Sequence, residues 1–471
     1  MKLSILVNNI DCKVIGKDVE ISYVTFDCKK VKEKTLFVSL KPDSGEIGLA
    51  IKRGASAVVS KKEVCGVTSV LVNDERIALS YICASFYGYK KSKISVIGVI
   101  GTNGKTSTAT MLSEMLEKDG KKVATICTGK ATIDGEVYET DMTTPDPPEL
   151  FELIGKMIAK KIKYCIMEVS AHAIFFKKTN AIEFDYLIYT NCTQDHLDFF
   201  KTFERYKEVK KSYFVNHSQK YVVNSDDKVG VEILQDCRAL TYGLENPSDV
   251  FAIDVKQKSG KTSFILNMFD DIEKINLNCV GLFNVYNFLG SATTAYCLGV
   301  QMKTIKEYAK QMQGVKGRCE LVGEFNGGKI YVDYAHTPDG LEKLIGAFKQ
   351  SVKGRLICLF GCGGNRDSDK RPKMGKIAGK NADFSIITSD NPRYEEPCQI
   401  ISDIEKGIRE TNGRYITIQN RKEAINYAIN LLQNEDVLLI AGKGDERYQE
   451  IMGTKHEYSD REVVKSVLNF L

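Results

Sequence analysis

Features that would place the protein in a membrane or outside the cell are missing from the sequence. No run of about 18 apolar residues occurs, and a membrane-spanning helix needs one. The opening stretch MKLSILVNNIDCK lacks the apolar core and cleavage pattern of a signal peptide. Low-complexity segments and internal repeats are also absent. We therefore expect a cytoplasmic protein that does not act in a membrane.

The sequence also has neither a large excess of charge of one sign nor two cysteines at the spacing of a metal-binding pair. The 66 basic and 61 acidic residues leave a net charge of +5, which argues against a general nucleic-acid-binding protein. The 14 cysteines contain no C-x-x-C pair and only five histidines occur, so a zinc site is not indicated. Because Cys165 and Cys358 lie in apolar stretches, buried and reduced thiols are the favoured interpretation.

What the sequence does contain is an alternation of short β-branched runs with longer amphipathic stretches. With 471 residues the chain is too long for one hydrophobic core, so two to four domains are expected. Alternating strands and helices predict an α/β fold with parallel sheets. The predicted strands include Ser95–Ile100, Tyr164–Glu168, Tyr186–Tyr189, Tyr221–Asn224, Leu356–Phe360, Phe384–Thr388 and Val437–Ala441, and the predicted helices include Ser107–Asp119, Pro148–Lys161 and Arg421–Leu432.

Two positions in the chain are predicted to separate domains. The first is the basic stretch Lys90–Lys93, directly before a predicted strand, and the second lies near Gly317–Gly328. We therefore predict domains at residues 1–92, 93–318 and 319–471, each of ordinary domain size.

A glycine-rich loop follows the predicted strand at Ile94–Ile100 and precedes a predicted helix. Its residues are Gly101, Thr102, Asn103, Gly104, Lys105 and Thr106, followed by Ser107. Backbone N–H groups, the helix N-terminus and a lysine can bind phosphate, and the threonine hydroxyl can reach magnesium. The general pattern requires a further glycine at position 99, which is Val99, so the match is partial. The competing interpretation is a strand–helix turn with a surface lysine.

Further motifs in the same order along the chain identify a family. The loop GTNGKT resembles that of the Mur ligases, the ATP-dependent amide-forming enzymes of peptidoglycan assembly. Matches to this family run from about residue 95 to 448, and jointly they are more specific than any one of them. The matching segments are Met167–His172 (MEVSAH), Thr190–Asp198 (TNCTQDHLD), Asn224–Asp227 (NSDD), Gly281–Asn287 (GLFNVYN), Gly317–Glu320 (GRCE), Asp333–Asp339 (DYAHTPD), Gly361–Pro372 (GCGGNRDSDKRP), Asp390–Arg393 (DNPR) and Ala441–Glu446 (AGKGDE).

The resemblance implies a fold and a reaction. The implied fold has a small N-terminal α/β domain for a UDP-sugar, a central P-loop ATPase-type parallel sheet for ATP and a C-terminal Rossmann-like domain for an amino acid. In the implied reaction a carboxylate attacks the γ-phosphate of ATP to form an acyl phosphate, and an amine then displaces phosphate. The implied partners are ATP, Mg²⁺, UDP-N-acetylmuramoyl-dipeptide and an amino acid, and we expect a monomer.

The resemblance also implies roles on the ATP side. Lys105 would hold the β- and γ-phosphates, and Arg318 would reach the γ-phosphate. Lys210, in the pattern Tyr206-x-x-x-Lys210, would be carbamylated and so become an anion; its neighbour Lys211 competes for this assignment, and an unmodified surface lysine is the alternative. The implied metal ligands are Thr106, Glu168, His196 and Lys210, and the remaining implied ATP-binding residues are Asn284, Asn287, Asp333 and His336. Two alternatives to metal binding remain. Glu168 would cap a helix, and His196 would make a hydrogen bond within its loop.

The segment DNPR is implied to select the amino acid. Arg393 offers a guanidinium fork that suits a second carboxylate, which meso-diaminopimelate has and L-lysine lacks. We therefore predict diaminopimelate, with lysine as the alternative. Glu446 would take the distal ammonium, and Arg366 or Arg371 would pair with another carboxylate. The remaining implied contacts to the amino acid are Asp390, Asn391, Pro392 and Gly442.

The UDP-sugar side departs from the family pattern. Cys28 and Lys29 stand where the family has serine and arginine, and the glycine-rich loop after Leu36–Leu40 is shorter than the family's. Phe176 and Lys178 replace a glutamine and an arginine, and lysine keeps the charge but loses the fork. The implied UDP-sugar contacts are Cys28, Thr143, Thr144, Ser170 and Lys178. Because of these departures, a related ligase that joins an amino acid to a different carboxylate is the alternative function, and a non-catalytic nucleotide-binding regulator is the third.

Overall fold

The computed structural model describes residues 1–41, 45–89, 92–258, 260–349 and 352–470. The chain divides into two compact units, each built from several segments. The first unit comprises Met1–Ile100, Gly120–Ile188 and Val209–Tyr221; the second comprises Gly101–Asp119, Tyr189–Glu208 and Val222–Leu471. Lys90 and Lys91 of the predicted first boundary, and residues 42–44 of the shortened loop, lie outside the described residues.

The described chain alternates strands with helices throughout. The strands are β1 Cys12–Ile15, β2 Tyr23–Thr25, β3 Thr35–Val38, β4 Ala55–Ser60, β5 Thr68–Val72, β6 Ser95–Ile100, β7 Val123–Cys127, β8 Lys130–Ile133, β9 Glu136–Glu139, β10 Tyr164–Val169, β11 Phe184–Tyr189, β12 Ser218–Asn224, β13 Leu240–Gly243, β14 Val250–Lys258, β15 Lys261–Met268, β16 Asp271–Leu277, β17 Glu320–Phe325, β18 Gly328–Asp333, β19 Leu356–Phe360, β20 Phe384–Ile387, β21 Tyr415–Thr417, β22 Val437–Ala441, β23 Tyr448–Ile451 and β24 Thr454–Glu457. The helices are α1 Leu3–Leu6, α2 Glu46–Lys52, α3 Glu75–Phe86, α4 Lys105–Lys118, α5 Pro147–Ala159, α6 Ala171–Phe175, α7 Leu197–Phe200, α8 Phe203–Asn216, α9 Lys228–Asp236, α10 Leu282–Cys297, α11 Met302–Gln311, α12 Pro338–Lys349, α13 Lys370–Asn381, α14 Pro397–Ile408, α15 Arg421–Asn430 and α16 Asp460–Phe470, with a 3₁₀ turn at Cys28–Lys30.

The first unit contains an N-terminal sheet and a group of parallel strands that ends near the candidate site. The N-terminal sheet has the order β1-β5-β4-β3-β2, with β1 antiparallel to β5 and the other pairs parallel. The following strands have the order β11-β6-β10-β7-β8-β9, in which β6, β10 and β7 are parallel and β7, β8 and β9 antiparallel. Where β10 ends, the Ser170 hydroxyl accepts from the Ala173 N–H and caps α6.

The second unit begins with the glycine-rich loop and α4. Its strands β12 and β13 pair in parallel, as do β13 and β14, whereas β14, β15 and β16 form an antiparallel meander. Asp227 caps α9 by accepting from the N–H groups of Val229 and Gly230.

The C-terminal sheet of the second unit has the order β17-β18-β22-β19-β20-β21. Only β17 is antiparallel to its neighbour among these described strands. Along β22, Leu439 and Ala441 pack into one apolar cluster, whereas Leu438 and Ile440 pack into another. Both faces of the sheet are therefore buried, which is why β19 and β22 are continuous apolar runs.

The observed elements confirm the predicted α/β class with parallel-rich sheets. Each predicted strand is present, with ends that differ by at most three residues. All 14 cysteines lie within the described residues, none of them is in a disulfide, and most of them are buried. Across the described part of the chain, no helix has both the length and the apolar character that crossing a membrane requires.

Candidate active site

Two glycines of the glycine-rich loop lie where a larger residue would not fit. Gly104 has φ +85, which favours glycine, and a Cβ placed on it would lie 2.3 Å from Oδ1 of Asn287. A Cβ on Gly101 would lie 1.8 Å from Oγ1 of Thr190. Both glycines are therefore required for close approach of neighbouring polar groups, and Asn287, a predicted ATP contact, lies against the loop.

The loop lysine lies over the loop itself. The Lys105 ammonium donates to the carbonyl oxygens of Gly101 and Thr102 at 3.0 and 2.9 Å. Lys105 is also the first residue of α4, whose N-terminus carries positive potential. The Lys105 ammonium and the N-terminus of α4 thus lie side by side, and together they provide positive charge that suits an anionic ligand.

A second loop, Thr190–His196, holds the glycine-rich loop in shape. The Thr102 N–H donates to the carbonyl of Asn191 at 2.9 Å, and the Thr193 N–H donates to the Thr102 hydroxyl at 3.1 Å. The Asn103 N–H donates to Oδ1 of Asn191 at 2.9 Å, and the Asn191 amide returns a bond to the Asn103 carbonyl at 3.0 Å. Two motifs that are about 90 residues apart in the sequence are therefore joined by several hydrogen bonds.

Asp195 lies at the centre of a group of basic side chains. Its Oδ2 is 3.4 Å from Nε2 of His196 and 3.9 Å from Nε2 of His336. Burial alone would raise the pKa of this carboxyl, but His196, His336 and Lys370 hold the pKa well below its usual range. His196 itself has φ +55, an uncommon conformation for a residue other than glycine. The predicted residues His196 and His336 are thus brought together through a carboxylate that the predictions did not include.

Arg318 reaches the glycine-rich loop from the C-terminal part of the second unit. Its Nη2 donates to the Thr106 hydroxyl at 2.9 Å, and its guanidinium lies 4.1 Å from the centre of the Tyr334 ring. Asp333, which is half-buried, accepts from the N–H groups of Cys319 and Ala335 at 2.6 Å each, and desolvation of its carboxyl raises its pKa. The structure therefore brings the predicted residues Arg318 and Thr106 into contact.

Asp339 also joins the glycine-rich loop to the C-terminal part of the second unit. The Asn103 side-chain amide donates to Oδ2 of Asp339 at 2.8 Å. Lys343, one turn further along α12, lies 3.0 Å from Oδ1 of the same carboxylate. Asn103 and Asp339 are 236 positions apart in the sequence, so local pattern could not have indicated this bond.

In the first unit, four predicted residues cluster where β10 ends. The Glu168 carboxylate is buried and accepts from the Thr128 N–H at 3.0 Å and the Thr128 hydroxyl at 3.2 Å. The Thr128 hydroxyl lies 3.1 Å from that of Thr143. The Thr144 hydroxyl donates to the Glu168 carbonyl at 2.9 Å and accepts from the Ser170 N–H at 3.0 Å. A metal candidate and three UDP-sugar candidates therefore share one network.

Lys178 joins this network, whereas Cys28 does not. The buried Lys178 ammonium lies 2.8 Å from Oδ1 of Asp146 and 3.4 Å from the Thr144 carbonyl. Within the described residues, Cys28 instead packs in an apolar cluster with Val31 and other core residues of the N-terminal sheet.

Lys210 has no exposed surface in helix α8, whereas Lys211 is half-buried. Burial of a charged ammonium is costly and is uncommon in proteins. Of the two adjacent lysines, Lys210 is therefore the one whose environment differs from that of an ordinary surface lysine.

The amino-acid candidates cluster at the carboxyl ends of β20 and β22. The buried Lys443 ammonium donates to Oδ1 of Asn391 at 2.9 Å and Oε2 of Glu446 at 3.0 Å. The Asn391 amide donates to the same Glu446 oxygen at 3.0 Å, while burial raises the pKa of Glu446. Gly442 has φ +116, and a Cβ there would lie 2.7 Å from Oδ2 of Asp390. These five residues therefore lie in contact with one another at the ends of the two strands.

The three predicted arginines differ in their surroundings. Arg371 is buried and donates to Oδ2 of Asp403 at 3.0 Å and Oε1 of Glu395 at 3.0 Å, so its charge is already balanced. Arg366 is exposed, which leaves it as the better placed of the two alternatives for a substrate carboxylate. Arg393 donates from Nε to Oε2 of Glu450 at 3.0 Å.

The described residues include no group of three or more His, Cys, Asp or Glu side chains that could hold a metal ion by themselves. The predicted donors Thr106 and His196 lie in the second unit, and Glu168 and Lys210 in the first. A buried carboxylate and a hydroxyl are oxygen ligands of the kind that Mg²⁺ prefers, so the donor chemistry fits this ion.

Comparison with known proteins decides the family. The model of the Mur ligase middle domain matches residues 99–295, and that of the Mur ligase, glutamate ligase domain matches residues 317–444. The UDP-N-acetylmuramoyl-L-alanyl-D-glutamate--2,6-diaminopimelate ligase of Caldanaerobacter subterraneus subsp. tengcongensis is 40% identical over 478 residues, with 99% of each chain covered. The chain belongs to the Mur ligase family. It is therefore an ATP-dependent ligase, as the sequence motifs predicted.

Further relatives of this Mur ligase agree over the full length. The UDP-N-acetylmuramoyl-L-alanyl-D-glutamate--2,6-diaminopimelate ligase 1 of Clostridium acetobutylicum is 40% identical over 488 residues, covering 100% of each chain. A solved structure of a UDP-N-acetylmuramoyl-L-alanyl-D-glutamate--2,6-diaminopimelate ligase has a TM-score of 0.69 at 28% identity and covers 97% of each chain. The MurF ligase from Thermotoga maritima in complex with ADP has a TM-score of 0.65 at 19% identity, covering 97% of this chain and 99% of its own, which shows the shared fold.

Several residues of the site were missed by sequence reasoning. Asp195 precedes the predicted His196, and Lys443 stands inside the AGKGDE segment, so both had a signal in a recognised motif. Asp339 is the last residue of DYAHTPD. Glu450 lies four residues beyond the final motif and had no signal in the sequence.

Proposed function

We propose that this Mur ligase adds meso-diaminopimelate to UDP-N-acetylmuramoyl-L-Ala-D-Glu in the cytoplasm, as a step of peptidoglycan precursor synthesis. The observation that carries the choice of amino acid is Arg393 in the DNPR segment, which contacts the AGKGDE segment through Asn391, since its guanidinium suits a distal carboxylate. The names of the full-length relatives support the same substrates.

The proposed chemistry has two steps. An oxygen of the D-glutamate side-chain carboxylate attacks the γ-phosphorus of ATP, an O–P bond forms, and ADP leaves. The amine of the amino acid then attacks the acyl carbon, and inorganic phosphate leaves with the former carboxylate oxygen. Lys105 would exchange the carbonyl partners of Gly101 and Thr102 for phosphate oxygens, and Arg318 would add a second charge at the same loop.

The metal and its ligands belong to this proposal. Thr106, Glu168, His196 and Lys210 would hold Mg²⁺, which supplies positive charge where anionic groups meet. For Lys210, we propose that its amine adds carbon dioxide and loses a proton, which converts it to a carbamate anion. Complete burial of Lys210 supports this assignment, because a permanent ammonium would be costly there.

The substrate regions are proposed to follow the predicted domains. Residues 1–92 would bind the UDP-sugar together with Thr143, Thr144, Ser170 and Lys178, while residues 93–318 would bind ATP and residues 319–471 the amino acid. The hydrogen-bonded network around Glu168 supports the placement of the acceptor carboxylate beside the metal ligand.

One experiment tests the proposed reaction directly. Phosphate release is measured with ATP, Mg²⁺, UDP-N-acetylmuramoyl-L-Ala-D-Glu and either meso-diaminopimelate or L-lysine. We expect release with diaminopimelate and far less with lysine. A clear preference for lysine would refute the choice of amino acid. The absence of release with either would favour the alternative, a ligase with a different carboxylate acceptor.

The carbamate at Lys210 needs a separate test. Lys210→Ala is expected to abolish phosphate release, and added bicarbonate or chloride is expected to restore part of it by supplying an anion in the vacated space. Lys211→Ala, the matched control, is expected to remain active. Full activity of Lys210→Ala without rescue would contradict the assignment.

A further inference from the structure

The segment that carries Arg318 has an uncommon backbone conformation. Gly317 has φ +66 and Cys319 has φ +50, a region that residues other than glycine rarely adopt. The Arg318 N–H donates to the Val315 carbonyl at 2.9 Å, which closes a turn that ends at the arginine. Such conformations persist only where neighbouring groups hold them. The direction of the Arg318 side chain therefore depends on what keeps this turn in place.

The Glu320 carboxylate uses both of its oxygens near this turn. Its Oε2 accepts from the Gly317 N–H at 2.7 Å, so the carboxylate reaches back past Arg318. Its Oε1 accepts from Nη2 of Arg461, a residue in the first turn of α16. The side chains of Glu320 and Arg461 are 20% and 22% exposed, so solvent screens this ion pair only in part. Arg461 is thus connected through Glu320 to the backbone that directly precedes Arg318.

The AGKGDE segment also packs against this turn. A Cβ on Gly317 would lie 2.2 Å from the backbone nitrogen of Asp445. A Cβ on Gly444 would lie 2.6 Å from the carbonyl oxygen of Gly317. The backbone at Gly317 is therefore in close contact with one segment and hydrogen-bonded to Glu320, and this leaves it little room to move.

Arg318 extends from this turn to the glycine-rich loop. Its Nη2 donates to the Thr106 hydroxyl at 2.9 Å, and its guanidinium lies 4.1 Å from the centre of the Tyr334 ring. Among the described contacts, the side-chain bonds of Glu320 and Arg461 are instead to Gly317 and to each other. A group that stabilises charge in a transition state must be placed accurately, because a misplacement of about 1 Å can cost about 100-fold in rate.

We propose that Glu320 and Arg461 are positioning residues that act through Arg318. The ion pair holds the turn at Gly317, and the turn directs the Arg318 guanidinium to the γ-phosphate of ATP. This inference rests on the proposed role of Arg318. Glu320 is the last residue of the GRCE motif, whereas Arg461 lies outside the motifs that identify the family. The contribution of the pair to the rate then exists only while Arg318 is present.

The test is a double-mutant cycle on phosphate release. The values of kcat and of the KM for ATP are measured for the wild-type enzyme, Arg461→Gln, Arg318→Ala and the double variant, at enzyme concentrations high enough to follow slow variants. We expect Arg461→Gln to lower kcat by about 10- to 100-fold with a much smaller change in the KM for ATP, because Arg318 acts on charge that develops during phosphoryl transfer. In the Arg318→Ala enzyme the same substitution is expected to lower kcat no further.

Two further variants support the cycle. Arg461→Lys keeps a charge that can pair with Glu320, so we expect it to recover part of the lost kcat. Glu320→Gln keeps an acceptor for the Gly317 N–H but loses the charge that faces Arg461, and it is expected to show the same dependence on Arg318. Lys465→Gln is the matched control on α16, because its side chain is 54% exposed, and it should leave kcat and KM unchanged. Urea unfolding of each variant checks that the fold is intact.

A purely structural role of Arg461 would give a different result. In that case Arg461→Gln would lower kcat by the same factor with and without Arg318, which would overturn the inference, as would an unchanged kcat in Arg461→Gln. Full activity of Arg318→Ala would refute the proposed role of Arg318 and this inference with it. A large loss in Arg318→Ala together with an independent loss in Arg461→Gln would overturn the inference alone.

Discussion

The ion pair between Arg421 and Asp460 holds the start of both amino-acid loops. Neither side chain has any exposed surface; Arg421 donates to Oδ1 of Asp460 from Nε at 2.8 Å and to Oδ2 from Nη2 at 2.7 Å. The same guanidinium donates to the carbonyls of Ala441 at 2.9 Å and Ser389 at 3.5 Å, the residues directly before Gly442 and Asp390. Loss of this ion pair should therefore affect both the stability of the protein and the positions of these two loops.

Replacing Asp460 by alanine leaves the arginine charge buried without a partner. Breaking a buried pair in this way costs about 3–5 kcal/mol. The Tyr458 hydroxyl, which donates to Oδ1 of Asp460 at 3.0 Å, also loses its acceptor. We therefore expect Asp460→Ala to lower the free energy of unfolding of the second unit by about 3–5 kcal/mol. The double variant Arg421→Met/Asp460→Ala should lose less than the sum of the single variants, because no unpaired charge remains.

Urea unfolding followed by circular dichroism measures this loss, since the chain has no tryptophan for fluorescence. Faster amide hydrogen exchange in β20 and β22 would show that the loss of stability is in this part of the protein. Glu462→Ala is the control on the same helix, because Glu462 and its partner Lys465 are 66% and 54% exposed and such pairs contribute about 0–1 kcal/mol. If Asp460→Ala destabilised the protein no more than this control, the argument from burial would be wrong.

Three other predictions concern catalysis and pH. Lys105→Ala should reduce ATP-dependent phosphate release at least about 100-fold, because one charge-assisted donor at the phosphates is lost. Asp339→Ala should raise the KM for ATP more than it lowers kcat, because Asn103 of the loop loses its 2.8 Å partner; equal activity with wild type would show that this bond is dispensable. Burial alone would raise the pKa of Asp436. The hydrogen bonds from Arg355 lower this pKa by more than burial raises it, so the folded-state pKa is below the ordinary value. The ionised carboxylate therefore contributes stability above about pH 4 that is lost as the pH falls, and thermal unfolding of Asp436→Asn should show a weaker loss between about pH 5 and 2.

The buried strands were the most predictable part of the fold. Ser95–Ile100, Leu356–Phe360 and Val437–Ala441 match their predicted bounds, because strands covered on both faces are continuous apolar runs. The antiparallel strands β14–β16 were not predicted, since alternating exposed and buried positions carry many charged residues and give a weak signal. Helix α4 begins at Lys105, two residues before its predicted start, because the left-handed Gly104 precedes it.

The site was predictable where motifs carry its residues and not where tertiary contacts choose between them. The motifs led to Arg318 and Thr106 separately, and the structure adds their hydrogen bond. The choice between Arg366 and Arg371 depended on burial, which two basic residues in the same polar segment do not reveal in sequence. Glu450 is brought beside Arg393 by a β-bridge between Arg393 and Ile451, and no local pattern specifies such a bridge.

The chain passes between the two units five times, after Ile100, Asp119, Ile188, Glu208 and Tyr221. This order of segments determines which unit can fold first while the protein is being synthesised. The first unit has all its segments once Tyr221 is made, whereas α4 belongs to a unit whose last segment begins at Val222. At a translation rate of about 5–20 residues per second, the last strands and helices of the second unit are synthesised tens of seconds after α4. Its apolar residues, such as Met111 and Leu112, are buried in the folded protein, so we expect chaperones to bind them during this time.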